Sequence, residues 1–137
     1  MTSKKSPQPP QPRGNPRRAK STQARPPQPY VQWDVVIVPF PFSTQPGQKR
    51  RPALVLSESA FNRHGYTVLS MITTAGHHPW PGDVNLADLR AAGLTAPCLV
   101  RLKLFTLDNR LIVRRIGRLS AADCQQISQQ LQTYLPW

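Results

Sequence analysis

The apolar residues of this chain fall in short runs, and the length of these runs limits what the chain can fold into. Residues 35–38 and 53–56 are two such runs, each of four residues and each next to a proline. Runs of this length, bounded by turn-forming residues, are typical of β-strands and too short for packed helices. They are also far below the roughly 20 apolar residues that a membrane-spanning helix needs. We therefore expect one small, mostly β domain from these 137 residues.

Three more segments predict strands. The stretches at residues 66–72 and 111–116 are mostly apolar and contain several β-branched side chains. Residues 100–104 alternate strictly between apolar and basic side chains, so Arg101 and Lys103 are expected on the face opposite to the core. The pattern predicts five short antiparallel strands when the runs near residues 35–40 and 53–56 are included.

Two helices are expected beside these strands. The first covers residues 86–92, with Asn85 as a possible N-cap and Gly93 at its end. The second begins at Ser120, which forms a pattern similar to a capping box with Asp123. Five short strands with a packed C-terminal helix predict a small barrel.

The composition changes near Tyr30. Residues 1–30 hold eight of the 16 prolines and seven of the 18 Lys and Arg residues, but none of the six acidic residues. Such a segment buries too little apolar surface to become ordered, so we expect a disordered leader before a domain at residues 31–137. Excess positive charge in both parts is compatible with a polyanionic partner and equally with simple solubility. Two cysteines and no apolar signal segment favour a cytoplasmic location.

Six fragments occur in an order that resembles the MazF/PemK family of toxins from toxin–antitoxin modules. They are residues 33–42 (WDVVIVPFPF), residues 49–57 (KRRPALVLS), residues 70–74 (SMITT), Gly93-Leu94 with Pro97, Leu107-Asp108, and residues 115–120 (RIGRLS). The resemblance covers about residues 31–135. It implies an SH3-like barrel, a homodimer, an antitoxin partner, and cleavage of single-stranded RNA without a metal or cofactor.

The resemblance also assigns candidate site residues. It places the catalytic arginine at Arg51 and the catalytic hydroxyl at Thr73. RNA supplies its own nucleophile, the 2′-hydroxyl, so such an enzyme must align that group and stabilise charge on phosphorus. A guanidinium can bind two phosphate oxygens at once, and a threonine hydroxyl can bind a non-bridging oxygen or orient the nucleophile. Four flanking residues are candidates for RNA binding: Lys49, Arg50, Thr74 and Phe40.

Other interpretations of these residues stay open. Arg51 could be a solvated charge at a strand end, Phe40 a core residue, and Trp80 either a loop anchor or a surface on which a base stacks. A catalytic pair of histidines, His64 and His77, is an alternative acid–base system, whereas no metal-ligand spacing is present. The alternative functions are a topoisomerase-binding toxin of the same fold and a nucleic-acid-binding module without catalysis.

Three features depart from the family pattern. Trp33 stands where the family usually has glycine, Cys98 stands where serine is common, and the basic leader is additional.

The leader should strengthen RNA binding without contributing to the chemistry. Deleting residues 1–30 removes seven positive charges and no acidic residue. We therefore expect weaker binding at low salt and a flatter dependence of log affinity on log salt, with an unchanged cleavage sequence. Measuring affinity at several salt concentrations, with and without the leader, tests this. Identical slopes would show that the leader does not contact RNA.

Overall fold

The computed structural model describes residues 29–39, 49–76 and 78–136. Apart from Pro29 and Tyr30, the predicted leader lies outside the described residues, as does Phe40. The strands are β1 (Asp34–Pro39), β2 (Arg50–Val55), β3 (Tyr66–Thr74), β4 (Val84–Asn85), β5 (Cys98–Asp108) and β6 (Arg114–Arg118). The helices are α1 (Ser59–Asn62) and α2 (Ala121–Tyr134), and a 3-10 turn covers Asn109–Leu111. No helix within the described ranges has both the length and the apolar character needed to cross a membrane.

The six strands form one antiparallel sheet in the order β4-β5-β3-β2-β1-β6. The long β3–β5 pair changes register between Ser70 and Met71, and the β1–β6 pair does so between Val35 and Val36. Bulges of this kind bend strands and increase their twist, which curls the sheet into a half-barrel. The predicted mainly β barrel with a C-terminal helix is thus confirmed.

Strand alternation divides the apolar residues between two cores, one on each side of the sheet. The helix face, defined by Val35, Leu54, Ile72 and Val100, packs against Ile127 of α2. The opposite face, here called the far face, carries a second core. Its buried members are Val36, Val38, Ala53, Val55, Leu69, Phe105, Leu107 and Ile112. Tyr30 packs against this second core, and its carbonyl accepts a hydrogen bond from Asn62 Nδ2 at 2.7 Å.

The start of α2 confirms the predicted cap in part. The Ser120 hydroxyl accepts a hydrogen bond from the Asp123 backbone N–H at 3.2 Å, as expected of an N-cap. The Asp123 carboxylate, however, does not complete a capping box. It is only 1% exposed and accepts hydrogen bonds from the backbone N–H groups of Ala87 (2.9 Å) and Asp88 (3.0 Å). This buried carboxylate ties α2 to the segment that follows β4.

The helix predicted over residues 86–92 is wrong, because this segment forms consecutive turns. Asn85 belongs to β4, where it pairs with Leu99 of β5, and is therefore not an N-cap. The turn starts at Asp88, whose carboxylate accepts from the Ala91 N–H, and it closes at Gly93, which has a φ of +75°. Too few residues separate Asp88 from Gly93 for a stable helix.

Strand boundaries also differ from the sequence-based expectation. Across residues 29–39, 49–76 and 78–136 the sheet has six strands and not the expected five. The additional strand is β4, which has only two residues and therefore shows no periodicity in the sequence. The last strand begins at Arg114 and not at Leu111, since Asp108 caps a 3-10 turn by accepting from the Arg110 N–H. The strand predicted at residues 100–104 extends over all of β5.

Two glycines allow the edge strand β6 to approach the turn after β4. The Arg118 N–H donates to the Ala91 carbonyl at 2.9 Å. A Cβ on Gly117 would lie 2.3 Å from the Ala92 carbonyl carbon, and one on Gly93 would lie 2.1 Å from the Ile116 carbonyl oxygen. The backbones therefore pack in direct contact, which brings the two margins of the curled sheet together.

This contact predicts that two glycine substitutions lower the free energy of unfolding by different amounts. Gly93 and Gly76 both have positive φ (+75° and +100°), but among the described residues no atom outside the adjacent ones lies within 4 Å of a Cβ on Gly76. Gly76→Ala should therefore cost only backbone strain, about 1–2 kcal/mol. Gly93→Ala should cost roughly 1–3 kcal/mol more, because its methyl group must displace the β6 backbone. Urea unfolding of both variants measures the difference, and equal losses would contradict the close approach.

Candidate active site

Arg51 and Thr73 lie on neighbouring strands, at the same end of the sheet. Arg51 is paired with Val38 of β1, and Thr73 is paired with Leu99 of β5. Between them, the β2–β3 ladder pairs Ala53 with Met71. If this register is continued for two residues, towards the start of β2 and the end of β3, Arg51 comes opposite Thr73. Both then lie on the far face, because alternate residues of a strand share a face.

These two residues belong to a row that crosses the sheet. The row runs through Val38, Arg51, Thr73, Leu99 and Asn85, which lie on β1, β2, β3, β5 and β4. Thr73 and Leu99 are 8% and 6% exposed, and Arg51 is half-buried. Thr73 is therefore nearly buried, whereas Arg51 keeps part of its surface accessible to solvent.

The charge of Arg51 is not neutralised by the described part of the protein. The ion pairs there are Arg101–Asp83, Arg110–Asp108, Arg115–Asp34 and Arg118–Asp34. Lys49 and Arg50 are exposed and also absent from these pairs. The start of β2 thus carries three consecutive cations, of which Arg51 lies on the far face and Arg50 alternates to the helix face, so Arg51 leaves its charge available to an anion on the far face.

The other candidate residues do not all lie on the same face as Arg51 and Thr73. Thr74 is exposed and pairs with Cys98, but it follows Thr73 in the strand and so alternates to the helix face. Phe40 lies outside the described residues, so its assignment stays a prediction. Cys98, at the position where the family often has serine, is 7% exposed, and burial raises the pKa of its thiol.

The histidine alternative does not fit this geometry. His64 lies in the turn before β3, whereas Thr73 is near the other end of that nine-residue strand. At about 3.3 Å per residue, the two are separated by most of the strand length. His77 is outside the described residues.

An ion pair next to this row was not expected from the sequence. Arg101 Nε and Nη2 donate to the two carboxylate oxygens of Asp83 at 3.1 and 3.0 Å, and the side chains are 12% and 15% exposed. The hydrogen bond to Asp83 raises the pKa of Arg101. Strand alternation indicated only that Arg101 faces away from the core. Asp83 was not recognised as its partner because no local pattern joins residues so far apart in the chain.

Comparison with known proteins supports a single family. The model of the PemK-like, MazF-like toxins of type II toxin–antitoxin systems matches residues 31–135. A comparison with curated proteins found no match.

Several solved structures share the fold. One is a MazF from Deinococcus radiodurans, with a TM-score of 0.63 and 21% identity, covering 80% of this chain and 98% of that one. Another is a mycobacterial endoribonuclease in complex with its cognate antitoxin, with a TM-score of 0.60 and 24% identity, covering 79% and 98%. The Mycobacterium tuberculosis toxin MazF-mt6 has a TM-score of 0.59 and 20% identity, covering 73% and 93%.

At these identities the structural comparisons establish the fold, and the family assignment depends on the match over residues 31–135. Because that match spans most of the sequence, the chain belongs to the family of PemK-like, MazF-like toxins of type II toxin–antitoxin systems.

Proposed function

We propose that this protein is an endoribonuclease toxin that cuts single-stranded RNA without a metal ion. The observation that supports this most is the position of Arg51 and Thr73 at the same end of two neighbouring strands, with no carboxylate paired to the arginine among the described residues. The mycobacterial endoribonuclease and the MazF proteins of the same fold support the assignment to RNA cleavage.

The proposed chemistry uses the nucleophile of the substrate itself. The 2′-oxygen attacks the adjacent phosphorus and forms a new P–O bond, while the bond to the 5′-oxygen of the next nucleotide breaks. The 2′-hydroxyl loses its proton as it attacks and the departing 5′-oxygen gains one, so no net proton is taken up and the products are a 2′,3′-cyclic phosphate and a 5′-hydroxyl. Arg51 stabilises the additional negative charge on the phosphoryl oxygens through a planar pair of N–H donors. The Thr73 hydroxyl donates to one of these oxygens or orients the nucleophile.

The cations around this pair would hold the substrate backbone. Lys49 and Arg50 precede Arg51 and are exposed. Contacts from such residues to phosphates add affinity that depends on salt and carries no base preference.

Two protein partners follow from the family. The mycobacterial endoribonuclease is bound to its cognate antitoxin, and a Deinococcus radiodurans MazF is bound to MazE. We propose that this chain likewise binds an antitoxin in the cytoplasm and forms a homodimer, so that free toxin cuts mRNA and inhibits translation and growth.

Arg51→Ala should abolish most of the RNA cleavage while leaving the fold intact. Loss of a charge-assisted contact to the transition state is expected to lower the single-turnover rate on the order of 10²–10³-fold. The assay uses a long mRNA in EDTA, with product ends analysed for the cyclic phosphate. Arg63→Ala is a matched control, because Arg63 is an exposed arginine beside α1, at the opposite end of the sheet.

The outcome separates the three candidate functions. Discrete cleavage in EDTA by the wild type supports the endoribonuclease, whereas binding without cleavage would support a nucleic-acid-binding module. Absence of both, with inhibition of a topoisomerase, would support the non-catalytic toxin. Near-normal cleavage by a folded Arg51→Ala protein would refute the role of Arg51.

Thr73→Val should lower turnover more than affinity or stability. The valine side chain has nearly the same shape, so the 8% exposed site stays filled while the hydroxyl is lost. Thr73→Ser restores the hydroxyl and should recover most of the single-turnover rate. If Thr73 is purely structural, the serine variant will be the less stable one and the valine variant will cleave normally. Melting temperature and single-turnover rate, measured for both variants, distinguish these results.

A further inference from the structure

The loop before β4 presents a tryptophan that the proposed chemistry does not use. The side chain of Trp80 is 41% exposed, although its backbone is held in place by several contacts. Although more than half of the residue is covered, this exposure leaves a substantial part of Trp80 open to a ligand. The exposed fraction therefore raises the question of what this indole is positioned to contact.

A tight turn fixes the backbone of Trp80. The turn runs from Trp80 to Asp83 with Pro81 and Gly82 at its centre, and Gly82 has a φ of +82°, as a type II turn requires. The Asp83 N–H donates to the Trp80 carbonyl at 3.1 Å. In return, the Trp80 N–H donates to Asp83 Oδ2 at 3.0 Å.

A largely buried ion pair then joins this turn to the sheet. Arg101 of β5 binds both carboxylate oxygens of Asp83, and its Nη2 also donates to the His78 carbonyl at 2.9 Å. The loop is thus attached to β5 on both sides of Trp80. The indole is presented from a rigid support, which reduces the entropy lost when a ligand stacks on it.

Two cations lie over the indole ring. The guanidinium carbon of Arg101 is 5.4 Å from the ring centroid, and Lys103 Nζ is 5.9 Å from it. Their attraction to the π-system holds the ring in place. An exposed aromatic ring beside basic side chains is the combination with which proteins bind single-stranded nucleic acids.

The position of this indole relates it to the candidate active site. Arg101 is paired with Met71 of β3, and Met71 lies two residues from Thr73 on the far face. At about 3.3 Å per residue, Thr73 and Met71 are roughly 7 Å apart along the strand. Trp80, which contacts Arg101, therefore lies within reach of a nucleotide next to the one that is cut.

We propose that Trp80 is a base-stacking platform, on which a nucleotide neighbouring the cleaved bond of single-stranded RNA stacks. The proposal rests on the proposed function for the identity of the substrate. The competing role, in which Trp80 only shields the Asp83–Arg101 pair from water, predicts a loss of stability without a loss of RNA affinity.

Binding is tested with 2′-O-methylated 12-nucleotide oligomers of U, C and A, which cannot be cleaved by attack of the 2′-oxygen. Their affinities are measured by fluorescence anisotropy in EDTA. Trp80→Ala should weaken binding of at least one oligomer by about 5- to 100-fold, the effect of losing one stacked base, and Trp80→Phe should restore most of it. Phe61→Ala is the control, since Phe61 is a similarly exposed aromatic residue (48%) on α1, at the other end of the sheet.

Base selection is tested by sequencing the 5′ ends of RNA fragments made from a long mRNA. Trp80→Ala should relax the preference at one position next to the cut, and Trp80→Phe should preserve it. If Trp80→Ala lowers only the melting temperature and changes neither affinity nor preference, the platform is refuted. If the wild type cuts no RNA but Trp80→Ala still weakens oligomer binding, the platform is supported and the proposed nuclease function fails.

Discussion

The antiparallel register of β2 with β3 is the constraint on which the candidate site depends. A shift of one residue would turn Arg51 to the helix face and leave Thr73 without its neighbour. The register is fixed because Leu54 and Ile72 must enter the core under α2, while Ala53 and Leu69 must enter the core on the far face. With buried cores on both sides of the sheet, neither strand can slip without exposing apolar side chains. The packing of the two cores, away from the strand ends, therefore determines which side chains lie together at those ends.

The distribution of carboxylates explains why positive charge remains at this end of the sheet. Asp83 pairs with an arginine of β5, Asp34 with two arginines of β6, and Asp108 with the arginine of the 3-10 turn. The side chains of Asp88 and Asp123 bind backbone N–H groups. Glu58 lies at the start of α1, on the opposite side of the molecule. No acidic residue of the described chain is thus paired with Lys49, Arg50 or Arg51, and an anion binding there would not compete with an internal partner.

Local sequence patterns predicted the features that depend on local chemistry. The strand runs and the Ser120 N-cap need only neighbouring residues to form. The expectation that Arg101 faces away from the core was wrong, because each face of the sheet carries a core: the Arg101 side chain is 12% exposed, whereas Leu104 is 36% exposed. The turn at residues 86–92 was mistaken for a helix because its backbone is held by Asp123, which is more than thirty positions away. The Asp83–Arg101 pair was not predicted either, because its two residues are 18 positions apart in the chain. Arg51 and Thr73 were identified through the family resemblance, since an arginine or a threonine in a strand has no local signature of catalysis.

Trp33 shows how one departure from the family pattern is accommodated. Its φ of +79° lies in the left-handed region that favours glycine, the residue usual at this position in the family. A side chain in this conformation costs about 1–2 kcal/mol. Two backbone hydrogen bonds hold it there, from its N–H to the Val55 carbonyl at 2.8 Å and from the Leu119 N–H to its carbonyl at 3.0 Å. The indole packs against the helix-face core beside Leu131 of α2. Burial of that apolar surface offsets the strain, so β1 still enters the sheet in the register that places Val38 beside Arg51.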